Sequence, residues 1–150
     1  MTQYETVSLS NFIRKKYPEI YHNAVKALKT LDVLPTPDQL RQIRVISRQY
    51  RKVKKSIKEY KHGGELNMLF VCATTVLFDS LSVLFDVRMK NGLRVMLAQE
   101  IGCKSANISK IFHVTKCRYK YISDFKRRVN AIIEEYHSFT NNKHSEGIKL

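Results

Sequence analysis

Apolar residues recur at steps of three and four through most of this chain, the period of a helix with one buried face, and no stretch reads as a strand. Residues 1–7 give no periodic signal and read as a loose end. Ser8 suits the cap of a short helix over about 9–16. Pro18 suits the first turn of another, running to about residue 31 with Ile20, Tyr21, Ala24, Val25, Leu28 and Leu31 on one face. In Leu34-Pro35-Thr36-Pro37-Asp38-Gln39 the chain stops and restarts: Thr36 is an N-cap, Pro37 takes the first helical position and Gln39 completes a capping box. The long helix that follows is expected to reach about residue 61, with Leu40, Ile43, Ile46, Tyr50, Val53, Ile57 and Tyr60 in one stripe.

His62-Gly63-Gly64 ends that helix and marks the strongest internal boundary. From 65 to about 87 the sequence reads as one helix, apolar around most of its circumference and therefore central to the core. Asn91-Gly92 marks a turn. Two short helices follow, over 93–101 and about 105–112, joined at Gly102, whose freedom to adopt positive φ ends the first. Leu97 and Ile101 pair at i, i+4, Ala98 leaves room for a crossing helix, and Ile108 and Ile111 supply the second helix's apolar face. Residues 113–121 read as an irregular loop rich in Lys, Arg and Tyr. Ser123 and Asp124 start a last helix with Phe125, Val129, Ile132, Ile133 and Tyr136 aligned, and the polar stretch from Thr140 is expected to be disordered. The expected fold is all-α, a helical bundle with a long basic helix near 37–61. Its expected organisation is an N-terminal helical region (1–63), a domain with the core helix and the two-helix corner (64–139), and a tail (140–150).

Charge adds a partner to this picture. The 150 residues contain 27 Lys and Arg against 13 Asp and Glu, a net +14 with a pI near 9.8, which favours nucleic acid first and an anionic membrane surface second. The excess is concentrated: residues 36–64 hold nine basic residues against two acidic, and 104–128 hold eight against one. Three roles are open to the basic helix, namely a solvated face, a phosphate contact or a pairing surface between subunits.

Catalytic chemistry is not legible. An enzyme needs a nucleophile, acid–base groups or a metal set at a workable spacing. Asp79 and Asp86 are seven residues apart with no catalytic partner near them in sequence, and there is no Walker-type or Gly-x-Gly-x-x-Gly loop. Cys103, His113 and Cys117 would supply three ligands where a structural zinc takes four. Cys72, Cys103 and Cys117 are three cysteines at no metal-ligand spacing, which suits a reducing, cytoplasmic setting. Residues 66–78 form the most apolar run, shorter than the roughly 20 residues needed to cross a bilayer. No enzymatic activity, cofactor, metal, membrane or small-molecule substrate is expected.

At the two-helix corner, Leu97-Ala98, Gln99-Glu100-Ile101-Gly102 and Asn107-Ile108-Ser109-Lys110-Ile111 carry residue types that coincide with a known pattern. They resemble the Leu-Ala, polar-polar-apolar-Gly and x-Ile-Ser-basic-apolar segments of the λ-repressor-like (Cro-type) helix-turn-helix family. The resemblance covers about 20 residues of the 150. It implies double-stranded DNA as partner and a second helix lying in the major groove, with Ser105, Ala106, Ser109 and Lys110 toward the base edges and Ile108 and Ile111 as the buried plug. Lys110 suits guanine O6 and N7, and Ala106 a thymine methyl. Arg94, Lys104 and Asn107 would meet backbone phosphates, and Lys116, Arg118 and Lys120 in the expected loop would follow the backbone. Ser105 can instead cap its own helix, and Arg94 and Lys104 can be solvated surface charges. Beyond Ile111 the sequence departs from the family, with Phe112-His113-Val114-Thr115 in place of a Gly-containing turn.

The function implied is sequence-specific DNA binding by a transcriptional regulator of bacterial or phage type, cytoplasmic and nucleoid-associated, with a homodimer on paired half-sites as one expected assembly. Two other readings use the same residues. One is a virion-associated or DNA-packaging protein of the small-terminase kind; the other is a basic helical RNA-binding or adaptor protein in which the corner only packs.

Overall fold

In the computed structural model, which describes residues 1–28, 33–52, 64–85 and 87–148, the chain forms α1 (Gln3–Lys16), α2 (Pro18–Leu28), α3 (Pro37–Tyr50), α4 (Glu65–Phe78), α5 (Ser80–Leu84), α6 (Leu93–Ile101), α7 (Ser105–Tyr121) and α8 (Ser123–Ile148). No strand occurs among the described residues, and the all-α expectation holds. The arrangement follows from α4. Leu69, Phe70, Val71, Cys72, Ala73, Thr74 and Thr75 are buried in unbroken succession, so this part of the helix has no solvent face and must be enclosed by neighbours. Helices α3, α7 and α8 enclose it, and α6 packs against α3 and α7. Leu40, Ile43 and Ile46 of α3, Ile108, Ile111 and Phe112 of α7, and Phe125, Val129, Ile132 and Tyr136 of α8 join one apolar cluster with α4. Each fully buried side chain of this kind contributes about 1.5–3 kcal/mol. The helices flanking the expected boundary at 63 and 64 thus share a core; residue 63 itself lies outside the described residues.

The restart before α3 forms as its sequence predicts, with Thr36 Oγ1 accepting from the Gln39 amide (3.2 Å) and Gln39 Oε1 accepting from the Thr36 amide (2.8 Å). Its far end does not. Instead of continuing, α3 stops at Tyr50, and Arg51 is extended (φ −74°, ψ 137°). Tertiary partners take the backbone groups that a longer helix would use. The Tyr50 carbonyl accepts from Arg128 Nη1 (3.1 Å), and the Lys52 amide donates to the Glu65 carboxylate (3.1 Å). The expected continuation through Val53, Ile57 and Tyr60 lies outside the described residues.

The expected single helix over 65–87 is divided at Asp79. This residue is 4% exposed and leaves helical geometry (φ −152°, ψ 57°). Its carboxylate accepts from the Lys90 amide (2.7 Å), while its carbonyl accepts from both the amide and the hydroxyl of Ser82. A buried carboxylate must be hydrogen-bonded, and here the partner is the connection to α6, so the helix breaks to reach it.

Two expected irregular segments are helical. The first, 1–7, becomes the start of α1 through a capping box of Thr2 and Glu5, and Ser8 lies inside the helix rather than capping it. The second, 113–121, continues α7: Phe112 and Thr115 are buried on the face that holds Ile108 and Ile111, and Tyr119 packs beside them while donating to Asn130 Oδ1 (3.0 Å). Likewise α8 runs on to Ile148, past the expected start of a tail at Thr140, whose hydroxyl bonds back to the Tyr136 carbonyl (2.8 Å). A helix begun on a buried face extends at the cost of one residue per new hydrogen bond. Outside the core stand α1, which has no buried residue and packs on α2, and α2, which packs on α5.

Candidate nucleic-acid interface

Most of the residues that its spacing singled out close the corner between α6 and α7, with Leu93 added and Ile101 only half-buried. Leu93, Leu97 and Ala98 from α6 and Ile108 and Ile111 from α7 are buried. Gly102 adopts the left-handed conformation (φ 82°, ψ 39°), and its amide and that of Cys103 both donate to the Ala98 carbonyl (2.8 and 3.0 Å). One further residue fixes the turn, and the sequence alone did not identify it: Arg44 of α3 donates from Nη1 to the Glu100 carbonyl (2.7 Å). Lys104 is the N-cap of α7, its carbonyl accepting from the Asn107 amide (3.0 Å). Ser105 is accordingly the first helical residue and not a cap.

Of the residues assigned to base edges, Ala106, Ser109 and Lys110 are exposed, and Ser105 is half-buried. At 100° per residue these lie within one side of α7, opposite Ile108 and Ile111. The Ser109 hydroxyl is not free of the protein, since Arg94 Nη1 donates to it (3.2 Å). Arg94 and Lys104, assigned to phosphates, are exposed, and Asn107 is half-buried.

The second basic segment divides differently from the expected loop. As part of a helix, Lys116 and Arg118 point roughly 160° apart, so Lys116, Arg118 and Lys120 do not share one surface. Lys116 lies over the Phe112 ring (5.3 Å) on the side toward Arg94. The last three cations of the segment serve the fold. Lys126 lies over the Tyr119 ring (5.5 Å), and Arg127 pairs with Asp124 (2.6 Å). Arg128 pairs with Glu65 and, at 3.3 Å, with Asp124. Burial lowers the pKa of Arg128, and these two carboxylates offset the cost of holding its charge there. On α3, likewise, Arg41 pairs with Asp38 and Arg44 is used at the turn.

In place of the loop, the structure offers a cleft of about 570 Å³ between the 87–92 connection and α7. Arg88, Lys90, Arg94, His113 and Lys116 line it. Sequence reading assigns no phosphate-binding role to Arg88, Lys90 or His113, and considers the last only as a metal ligand. The available signal was local density: Arg88, Lys90 and Arg94 fall within seven residues, beside a glycine turn. Gly92 has φ 89°, and α6 starts there with no side-chain cap, so the positive end of its dipole opens at the cleft.

Cys103, His113 and Cys117 do not form a metal set, and no group of three or more candidate ligands occurs among the described residues. Burial pushes the Cys103 thiol up, away from the thiolate that a metal would need. No helix among the described residues is long and apolar enough to cross a membrane. No protein-family model, curated protein or solved structure matches this chain.

Proposed function

We propose that the chain is a sequence-specific DNA-binding protein of the helix-turn-helix kind, a transcriptional regulator of bacterial or phage type that reads the major groove with the N-terminal half of α7. The observation that carries this reading is the corner itself. A nine-residue helix, a turn at a left-handed glycine and a second helix are locked by buried Leu97, Ala98, Ile108 and Ile111, while Ala106, Ser109 and Lys110 stand exposed together on the outer side. A rigid helix with short polar and basic residues at its exposed start is what base-edge contact in the major groove requires. Arg94 and Lys104 flank these residues and supply phosphate contacts that set the register.

Selection of bound duplexes from a random pool tests the proposal. Enrichment of a defined site, with preference relaxed at one base pair on substituting Lys110, is the expected result; recovery of unenriched sequence would overturn sequence-specific reading. A second reading, the same corner used within a DNA-packaging or virion assembly, is favoured by α1, none of whose residues is buried and which exposes Tyr4, Val7 and Phe12. Mass in solution separates the two, a dimer favouring a regulator and a large closed ring favouring packaging.

A further inference from the structure

We propose that the cleft between the 87–92 connection and α7 is a binding site for a phosphate group carried on an apolar body. Four cations from three parts of the chain, Arg88 and Lys90 of the connection, Arg94 of α6 and Lys116 of α7, line one opening of about 570 Å³, and its described lining residues include no carboxylate. That size is within the usual range for small-ligand sites, about 300–1,000 Å³, and several times what a bare phosphate fills.

The remaining wall supplies the apolar part, through Val87, Met89 and Phe112. Three of the four cations have contacts that position them before any ligand arrives, Lys116 over the Phe112 ring among them. Lys90 donates from Nζ to the Val33 carbonyl (2.8 Å) and from its amide to the buried Asp79 (2.7 Å). Arg94 is held by a neutral hydroxyl, that of Ser109, and Arg88 makes no ion pair among the described residues. Both guanidiniums can therefore turn to a phosphate without breaking a salt bridge, and a planar donor fork suits that anion. The uncapped start of α6 adds backbone donors at the same opening.

A phosphate of this kind comes either from a free phosphate ester or from a nucleic-acid backbone. Arg94 and Ser109 are shared with the proposed DNA-reading surface, so the two sources compete if that reading holds; occupancy of the cleft by a free ester does not depend on it. The test is titration of the full-length chain with inorganic phosphate, phenyl phosphate and phenol, followed by calorimetry or by amide shifts of residues 87–95. Phenyl phosphate is expected to bind in a saturable way, at least tenfold more tightly than either of the others. Arg88→Gln and Arg94→Gln, both at exposed positions, are each expected to weaken it tenfold or more, and Lys15→Gln on α1 to leave it unchanged. Equal affinity for phenol and phenyl phosphate, or an equal loss in all three variants, would overturn the proposal. Adding a duplex then assigns the source: displacement of phenyl phosphate points to the backbone, and simultaneous binding to a free ester. Phenyl phosphate binding by a chain that binds no duplex would leave the cleft standing and remove the DNA reading; a duplex bound tightly by a chain indifferent to phenyl phosphate would do the reverse.

Discussion

Arg44 reaches from α3 to the last turn of α6, where its Nη1 donates to the Glu100 carbonyl at 2.7 Å and stands 3.9 Å from the same residue's carboxylate. Carbonyls in a last turn have no partner within their own helix, and the C-terminal end of the dipole favours a cation. One side chain therefore ties the helix that carries the corner to the helix that packs beneath it. Replacing Arg44 by Ala is expected to cost about 1–3 kcal/mol, the range for a lost charge-assisted hydrogen bond that leaves a part-buried acceptor. Urea unfolding measures the total, and amide exchange localises it. Faster exchange at Gly102 and Cys103, with α8 unchanged, is the expected pattern; uniform acceleration would mean that Arg44 has no special link to the turn.

The two positive-φ glycines differ in both backbone and steric strain. A Cβ at Gly102 would meet nothing within 4 Å, so Gly102→Ala carries only the cost of the left-handed conformation, about 1–2 kcal/mol. At Gly92 the positive φ comes with a negative ψ (89°, −34°), outside the left-handed helical region, and an added Cβ would also lie 3.2 Å from Leu34 Cδ1. Thermal melts of Gly92→Ala and Gly102→Ala are expected to rank the Gly92 variant as less stable. Asn at Gly102, which tolerates this conformation better, should recover part of the loss. A reversed order would show that neither the Gly92 backbone nor Leu34 adds a cost.

What was legible in the sequence, and what was not, divides by the range of the interactions responsible. Thr36, Pro37 and Gln39 form a local device, and so do Gly92, Gly102 and the apolar spacing of Leu97, Ala98, Ile108 and Ile111; the structure forms these as their sequence predicts. The stop after Tyr50 depends on Arg128, 78 positions away, and the break at Asp79 on the Lys90 amide, so neither is visible in a window of neighbouring residues. Reading 113–121 as a loop gave weight to its Lys, Arg and Tyr content over the step from Ile111 and Phe112 to Thr115 and Tyr119, which continues the buried face. The charge excess of 104–128 is also smaller at the surface than a count suggests. Net charge counts Lys126, Arg127 and Arg128 as cations, yet they are occupied by Tyr119, Asp124 and Glu65.

Asp124 makes that occupation measurable through pH. Its hydrogen bond with Lys52 (2.8 Å), joined by that with Arg127, holds its carboxyl below the ordinary carboxylate range. A carboxylate with a depressed folded-state pKa contributes stability that is full above its unfolded value, about 3.9, and is lost as pH falls through the lower folded value. The wild-type chain should therefore lose stability from about pH 4 downward more steeply than Asp124→Asn, and the two melting curves should converge at the acid end. Parallel pH profiles would show that the cluster of Lys52, Arg127 and Arg128 places no demand on the Asp124 charge.

The division of cations between fold and surface also sets different expectations for three lysine and arginine variants in duplex binding. Lys110 is exposed on the side of α7 that carries Ala106 and Ser109, where base edges would lie, so Lys110→Ala should lose about 1–3 kcal/mol on a selected site and relax preference at one base pair. Lys104, exposed at the N-cap of α7, would meet a phosphate in the proposed complex; its removal should then weaken selected and random duplexes alike and lower the salt slope by about one. Arg118 sits on α7 roughly 120° around from Ala106, so Arg118→Ala should change little, contrary to the role an irregular basic loop would have given it. Filter or anisotropy titrations of a selected and a scrambled duplex at several salt concentrations resolve all three. The base-reading assignment is lost if Lys110→Ala weakens both duplexes equally. The helical placement of the second basic segment is contradicted as a guide to binding if Arg118→Ala reduces affinity as much as Lys104→Ala does.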